Sequence, residues 1–387
     1  MIIKKIKYLK ENTKAFIKTQ FLKSNLKNQF FFKNNKIIKV KNKCFLIPII
    51  ETSHYQVFQI LIIAKALQLR GYQIKVLVCD GYLNACEIKS IKNIDDPNPC
   101  FKCKNNLKHI LPLFDFDIIR LSDLFKKEEF SKIRSDLRRH FLKNKNFIYK
   151  KFDYSSQIED STIRYFYGKT KKRNFSDKIS FENFVTSVIS NEAIKRIHKK
   201  YKFDEVINNM SVYSVFQPYY DFCKKNNIPF HLITLTQFDL NSILINWNEV
   251  YINKNRFNKW RKSTRKLKLN NYENRKLKKF NDLRIKGDAK IFKDLSFFDN
   301  SQNIDNILNI NHNQRNFFLF SNIYWDVGMT ETQTIYNGVL DWIYNTIKIV
   351  EKIEDIDLYI KPHPGEYYDS ASSLVGVEDF IKINFPS

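Results

Sequence analysis

Hydrophobic and polar positions in the first half of the chain switch between a strand pattern and a helix pattern. The apolar run CFLIPII predicts a buried strand, which the polar loop ETSHYQ follows. The stretch VFQILIIAKALQLRG predicts a helix that ends at Gly71, and YQIKVLVCD predicts a second strand. One apolar stripe of this helix is expected to face a sheet, through Val57, Leu61, Ala64 and Leu67 or Gln68. This order is typical of a βαβ unit with parallel strands.

The same order returns twice further along the chain. From Lys202, FDEVINN predicts a strand, SVYSVFQPYYDFCKKNN a loop and helix, and IPFHLITL a strand. From Arg315, NFFLFSNI predicts a strand, TIYNGVLDWIYNTIKIVEKI a helix and DIDLYIKPHP a strand. The stripe predicted to pack this last helix on a sheet contains Ile335, Val339, Trp342, Ile343, Thr346 and Ile349. Residues 114–200 are predicted to be largely helical and irregular.

These patterns divide the chain into four parts. Residues 1–42 form a basic N-terminal segment, and residues 43–240 are predicted to form a Rossmann-like domain. Residues 241–313 are basic and polar, and they predict a connector of exposed helices. Residues 314–387 predict a second Rossmann-like domain, but an independent domain of this class needs about 100–150 residues. The second sheet is therefore expected to be incomplete.

The charge of the chain narrows the choice of partners only a little. Lys and Arg number 66 against 40 Asp and Glu, a net charge of +26, which attracts nucleic acid, anionic membranes and nucleotide-linked substrates. However, the lysines are spread from end to end, as in proteins of AT-rich genomes.

Residues 1–42 fit three alternatives: a segment on the inner-membrane surface, a solvated tail or a helix packed on the domain. With no apolar run of about 18 residues and no secretory signal, we expect a cytoplasmic protein, with peripheral binding to the inner membrane as an alternative.

Residues that could contact a ligand or act as an acid or base follow the predicted strands. Because parallel strands present their carboxyl ends at one edge of a sheet, residues after each strand are placed to touch a ligand. His363 lies between two prolines, which remove backbone donors and leave its ring and Lys361 to face a ligand. Such a histidine can neutralise a phosphate, act as an acid or base, or fill a structural role. The other residues expected at these edges are Thr52, Ser53, His54, Asn322, Trp325, Asp326, Pro364 and Glu366.

Four cysteines have a spacing that suits a metal. Cys79, Cys86, Cys100 and Cys103 follow the pattern C-x6-C-x13-C-x2-C, which predicts a structural zinc site or an iron–sulfur cluster. The alternative is two buried free thiols and a chance pair. Cys44 and Cys223 fall in strand and helix patterns and are expected in the core. The chain has no G-x-G-x-x-G, Walker, G-x-S-x-G or H-E-x-x-H motif, which argues against dehydrogenase, ATPase and serine hydrolase functions.

The segment FLFSNIYWDVGMTETQTIYNGVLDWIYNTIKIVEKIEDIDLYIKPHPGE resembles one found in bacterial capsule polysaccharide biosynthesis proteins. It shares a strand, N-x-x-W-D, a helix with D-W and a strand that ends in HP-x-E. CDGYLNACE followed by PCFKC, and STIRYFYGKT, also resemble members of that family. The resemblance implies a GT-B-type glycosyltransferase of two Rossmann-like domains, here apparently truncated at its carboxyl end, that transfers sugar from a nucleotide-sugar to a glycan or lipid-linked acceptor.

The resemblance also implies roles for individual residues. His363, Pro364 and Lys361 would hold the phosphate of a donor such as a CMP-sugar, Glu366 would contact the ribose or sugar, and Asn322 and Trp325 would line the donor cleft. His54 and Asp326 would be the catalytic residues, with His54 on the acceptor side and Asp326 in the donor cleft. Thr52 and Ser53 would contact the acceptor, and transfer would need no cofactor. Two alternatives stay open: a non-catalytic carbohydrate-binding remnant of the family, and a basic nucleic-acid-binding protein.

Overall fold

The chain divides into two compact units. Unit 1 contains Met1–Ser161 and Asn174–Tyr251, and unit 2 contains Thr162–Arg173 and Ile252–Ser387. The computed structural model describes residues 42–50, 55–86, 89, 98–144, 146–165, 178–235, 243–246, 268–285, 310–324, 336, 338–367, 373 and 376–386. Among the helices of these ranges, none combines the length and the apolar character needed to cross a membrane.

Unit 1 is built on a six-stranded, mainly parallel sheet. The strands of this sheet are β1 (Cys44–Ile49), β2 (Gln73–Val78), β3 (Asp117–Arg120), β6 (Glu205–Asn208), β7 (Phe230–Leu235) and β8 (Ile243–Asn246). Two further strands, β4 (Ile148–Tyr149) and β5 (Phe152–Asp153), form a separate antiparallel hairpin. The spatial order is β3-β2-β1-β6-β7-β8, in which β8 alone runs antiparallel to its neighbour. The order changes direction between β1 and β6. This is a Rossmann-like α/β sheet, as the sequence predicted.

Helices cover both faces of this sheet. They are α1 (Tyr55–Leu69), α2 (Asn98–Ile110), α3 (Lys127–Asn144), α4 (Ser155–Tyr165), α5 (Lys178–Tyr201) and α6 (Tyr213–Lys225). Alternate residues of the strands enter two cores: Leu46 and Val206 belong to one, and Ile47 and Ile207 belong to the other. The predicted inward stripe of α1 is confirmed, because Val57, Leu61 and Ala64 are buried.

The long helix α5 is enclosed by the first of these cores. Most of its residues between Ile179 and Ile197 are buried, polar and apolar alike. Phe184 sits among aromatic rings, with Phe147 at 5.5 Å and Tyr154 at 6.0 Å between ring centroids. A helix that is buried on several sides has no single apolar stripe, so the sequence could place it only within a broadly helical region.

Unit 2 contains a small parallel sheet. The helices and strands described in unit 2 are α7 (Asn271–Ile285), β9 (Arg315–Phe320), α8 (Val339–Val350), β10 (Ile356–Lys361) and α9 (Val377–Asn384). Strands β9 and β10 pair in parallel with Phe320 beside Lys361, which confirms the predicted βαβ unit. Leu319, Ile343 and Val377 form its buried core.

Three expectations need correction. Ile349 was predicted on the buried stripe of α8 but is 55% exposed, and Ile347 packs on the core instead. Residues 114–200 contain β3, a fifth parallel strand, which pairs with β2. Residues 243–246 were predicted in an exposed helical connector but pair with β7 as β8. Both strands missed in the large sheet have four residues, and the two-residue strands β4 and β5 were missed as well, because so few residues show little of a period. Strand β6 also has four residues, but the strand–helix–strand order around it indicated its place.

Candidate functional site

The structure places some of the predicted site residues and not others. Lys361, His363, Glu366 and Asn322 are described, and all four follow or end β9 or β10 at one edge of the small sheet. For Pro364 only the backbone is described. The remaining predicted residues lie outside the described ranges, and they are Thr52, Ser53, His54, Trp325 and Asp326.

Two hydrogen bonds join the turns that follow β9 and β10. The Ser321 N–H donates to the Lys361 carbonyl at 3.1 Å, which continues the strand pairing by one step. The Ser321 hydroxyl accepts from the His363 N–H at 3.1 Å, and Ser321 is buried. Sequence reasoning missed Ser321. The available signal was its position as the first residue after a strand whose parallel partner ends in the His-Pro turn.

The imidazole of His363 is held by its own turn. Its Nδ1 accepts a hydrogen bond from the Gly365 N–H at 3.0 Å, and its carbonyl accepts from the Glu366 N–H at 2.9 Å. Because Nδ1 is an acceptor, the neutral ring carries its proton on Nε2. Nε2 is thus the nitrogen that can donate to an anionic oxygen, while the turn uses its backbone N–H groups internally.

Gly365 permits this close arrangement. A Cβ at this position would lie 2.6 Å from Ile323 Cδ1 and 3.0 Å from His363 Nδ1. A separation of 2.6 Å is far inside ordinary contact distance for two carbon atoms. The position beside the histidine therefore needs a residue without a side chain.

Glu366 is buried, and one of its two carboxyl oxygens has an internal partner. It is 3% exposed, and its Oε2 accepts from the N–H of Val377, the first residue of α9, at 2.9 Å. Burial raises the pKa of this carboxyl; the Val377 N–H opposes the shift and Asp379 adds to it. Asp379 in turn accepts from the Gly376 N–H at 3.3 Å. Two carboxylates of the chain thus occupy the start of α9, and contact of Glu366 with a ribose or sugar stays a prediction.

The carboxyl edge of the unit 1 sheet holds a second group of polar residues. Asn208 ends β6, and Ser211 lies between β6 and α6; they are 0% and 1% exposed. Within the described part of the chain, Asn208 Nδ2 and the Ser211 hydroxyl make no hydrogen bond. Tyr213, which begins α6, has a φ of 70°, a left-handed conformation that is unusual for a bulky residue. Strained residues and unpaired buried groups concentrate at functional sites.

Buried serines connect the helices around this edge. The Ser214 N–H on α6 donates to the Ser161 hydroxyl on α4 at 2.8 Å. The Ser187 hydroxyl on α5 donates to the Ser214 carbonyl at 3.2 Å. These partners are far apart in sequence, and no local pattern signals their meeting. Sequence reasoning missed the group for that reason.

The four cysteines of the predicted metal site are free thiols. Cys79 and Cys86 are buried, and Cys100 and Cys103 lie half-buried on α2. Burial raises the pKa of Cys79 to about 12, against opposing backbone hydrogen bonds from Leu83 and Gly81, and so disfavours the thiolate that binds metals. In the described ranges, no three His, Cys, Asp or Glu residues are grouped so that they could hold a metal ion. The zinc or iron–sulfur site stays a prediction, whereas Cys44 and Cys223 are buried in the core as expected.

Comparisons with known proteins do not support the resemblance to capsule polysaccharide biosynthesis proteins. No family model matches the chain, and no curated protein matches it. Among solved structures, the chain is similar to a CDPS (cyclodipeptide synthase) from Fluoribacter dumoffii, with 15% identity and a TM-score of 0.31 over 49% of this chain and 86% of that chain. A likeness this weak carries no functional argument. The assignment to the capsule family was therefore wrong: the motifs N-x-x-W-D and HP-x-E are too short to identify a family on their own.

Proposed function

We propose that this chain is a glycosyltransferase that binds the phosphate of a nucleotide-sugar at the turn after β10. The observation that carries the proposal is the fixed imidazole of His363, with Nε2 as its donor nitrogen, two residues after Lys361 at the strand end. Ligands of open α/β sheets bind at the carboxyl ends of the strands. A phosphate there would receive a hydrogen bond from the ring and positive charge from the lysine.

The proposed reaction is transfer of the donor sugar to an acceptor hydroxyl. A base removes the proton of an acceptor hydroxyl, and the hydroxyl oxygen attacks the anomeric carbon of the donor sugar. The bond from that carbon to the phosphate oxygen breaks, and the electron pair stays on the nucleotide, where His363 and Lys361 stabilise it. In this proposal His54 is the base, Asp326 and Trp325 lie beside the donor, Asn322 contacts it, and Thr52 and Ser53 hold the acceptor. A GT-B arrangement of the two units is part of the same proposal.

Glu366 has a positioning role in this scheme. Its carboxylate joins the turn to the start of α9 through Val377, and its N–H donates to the His363 carbonyl. Ser321 acts in the same way through the His363 N–H. Both residues hold the imidazole in place, and contact of Glu366 with the ribose or sugar of the donor is part of the same proposal.

The test is calorimetric binding of CMP, UDP and GDP to the full chain and to two variants of His363. In His363→Asn, the amide oxygen can replace Nδ1 as acceptor for Gly365, but the Nε2 donor is lost. We expect about 10-fold to 100-fold weaker nucleotide binding, the usual cost of one hydrogen bond to a charged group. His363→Gln can place an amide N–H near the position of Nε2 and should retain more affinity.

The matched control is His312→Ala. His312 is an exposed histidine just before β9, at the opposite end of the same small sheet. This variant should bind nucleotide as the unchanged protein does. The proposal fails if none of the three nucleotides binds, or if His363→Asn binds as tightly as the unchanged protein while its circular dichroism spectrum shows an intact fold.

A second candidate function is nucleic-acid binding, and the observation that favours it is α7. The described side chains of this helix are exposed, including Arg275, Lys278 and Lys279. A basic exposed helix can follow a phosphate backbone. Fluorescence anisotropy with duplex DNA would show an affinity that falls steeply with salt if this function holds. Loss of all binding at about 0.15 M salt would exclude it.

A further inference from the structure

A basic pocket lies between α3 and α5 in unit 1, apart from the residues discussed so far. Its volume is about 410 Å³, and it is lined by Arg134, Ser135, Arg138, Lys178, Phe181 and Glu182. We infer that this pocket binds the phosphate group of a phosphorylated ligand. The inference does not depend on the proposed glycosyltransferase activity.

The pocket lies at the ligand-binding edge of the sheet. Because α5 leads into the parallel strand β6, it begins at the carboxyl ends of the strands and runs back across the sheet. The loop after β2 confirms this position: Asn84 Nδ2 donates to Glu182 Oε2 at 3.1 Å, and the Thr186 hydroxyl donates to the Ala85 carbonyl at 2.9 Å. Small molecules bind Rossmann-like sheets at this edge.

One arginine of the pocket is fixed by a buried carboxylate. Arg134 binds Glu182 through both terminal nitrogens, one of them at 2.8 Å from Nη1 to Oε2. Glu182 is buried and also receives the Asn84 hydrogen bond. A bidentate pair of this kind holds the guanidinium in one orientation before a ligand arrives.

The second arginine has a different environment. Arg138 lies one helical turn after Arg134 on α3, and both guanidinium carbons lie over the Phe181 ring, at 4.9 Å and 5.3 Å from its centroid. In the described part of the chain, no carboxylate lies within ion-pair distance of Arg138. Arg196 shows the contrast: it also stacks on a ring, that of Phe125, but it forms an ion pair with Glu129.

The start of α5 adds further positive charge. Lys178 is the first residue of this 24-residue helix, whose first turn contains no acidic residue. The amino end of a helix carries partial positive charge, so a cation there is unfavourable and an anion is favourable. Among the described residues, three cations and one carboxylate line the pocket, which lies beside a helix amino end. A phosphate dianion fits this charge, and arginine binds phosphate in bidentate geometry.

The experiment uses inorganic pyrophosphate as the probe, with the full chain, in calorimetry and thermal unfolding. We expect pyrophosphate to bind and to raise the unfolding temperature. Arg138→Ala should weaken binding at least about 10-fold, because one ionic hydrogen-bonding group is lost. The matched control is Arg139→Ala, which removes the same charge from the next position of α3. Arg139 is exposed, pairs with Asp136 and does not line the pocket, so this variant should bind as the unchanged protein does.

Several outcomes would overturn the inference. They are the absence of pyrophosphate binding, an equal loss of affinity in Arg138→Ala and Arg139→Ala, and equally tight binding of succinate, which would indicate a carboxylate site. His363→Asn separates this pocket from the proposed donor site. If that variant loses pyrophosphate binding and Arg138→Ala keeps it, the inference is wrong and the donor-site proposal is supported. If only Arg138→Ala loses pyrophosphate binding, the inference is supported, and this result does not depend on whether the donor-site proposal is correct.

Discussion

The carboxyl edges of the two parallel sheets are held in place by different means. In unit 1, helices cover both faces of the sheet, and α5 fixes the edge through buried side chains along most of its length. In unit 2, one face of the β9–β10 pair carries exposed aromatic residues, with Phe318 47% and Phe320 65% exposed. Its edge is held by a few hydrogen bonds that the side chains of Ser321, His363 and Glu366 accept from backbone N–H groups. Close packing, together with hydrogen bonds of buried α5 side chains, positions the first edge, and hydrogen bonds of the turns after β9 and β10 position the second.

This difference predicts where substitutions act. Loss of a large core side chain should disturb the unit 1 edge at a distance, because interiors are close-packed and transmit strain. The unit 2 edge should instead respond to small changes within its own turn.

The largest expected effect is that of Phe184→Ala on α5. Phe184 is fully buried, and truncation of such a ring costs about 3–5 kcal/mol of unfolding free energy. The matched change in unit 2 is Phe318→Ala, whose ring is exposed and stacks on Tyr359 with centroids 5.1 Å apart. We expect a cost of about 1 kcal/mol or less there. Hydrogen exchange of peptides from 178–201 and from 356–367 would separate the two effects. Equal losses of unfolding free energy in Phe184→Ala and Phe318→Ala would contradict the proposed difference between the two edges.

The second expected effect is that of Gly365→Ala. The new Cβ would lie 2.6 Å from Ile323 Cδ1, so the turn must move, at a cost of about 1–3 kcal/mol. The shift should break the bond from Gly365 N–H to His363 Nδ1 and weaken nucleotide binding. Gly376→Ala is the control, because its Cβ would meet Glu366 Oε2 at an ordinary 3.4 Å. Exchange of peptide 356–367 should rise in the first variant more than in the second. Unchanged exchange and nucleotide affinity in Gly365→Ala would show that the turn does not depend on this contact.

The sequence predicted the parts of the fold in which mainly apolar segments follow one another in strand–helix–strand order. The units β1–α1–β2, β6–α6–β7 and β9–α8–β10 were all predicted from local patterns. Helix α5 was not predicted as a buried element, because polar residues such as Asn183 and Ser187 are buried along with its apolar ones and obscure the period.

The site was less predictable than the fold. His363 stood out because two prolines flank it, but its partner Ser321 is 42 residues away, and their hydrogen bond depends on strand pairing. The Arg134–Glu182 pair spans 48 residues and had no local signal. Contacts of this range are set by tertiary packing, which one sequence does not show. The family resemblance was wrong for a related reason: short motifs at strand ends recur wherever parallel strands end in turns.

The smallest expected effect tests how Glu366 holds the unit 2 edge. Burial raises the pKa of this carboxyl above its ordinary value near 4.5. Below that value the group is protonated in both the folded and unfolded states, so no charge is buried. As the pH rises through the higher folded pKa, the folded state must bury a carboxylate, and the stability of unit 2 should fall. Glu366→Gln removes the ionisation, so its stability should change less than that of the unchanged protein between about pH 4.5 and pH 7.

Glu378→Gln is the control for this experiment, because Glu378 is exposed on the same helix and pairs with Lys382 at 2.7 Å. This variant leaves the buried Glu366 carboxyl unchanged, so most of the pH dependence should stay in place. Hydrogen exchange of peptides from 356–367, compared across the pH range after correction for intrinsic exchange rates, reports on this edge alone. Equal pH dependence in Glu366→Gln and in the unchanged protein would mean that burial of this charge does not determine the stability of the edge. The edge would then depend on the Ser321 and His363 hydrogen bonds, which the Gly365→Ala variant tests.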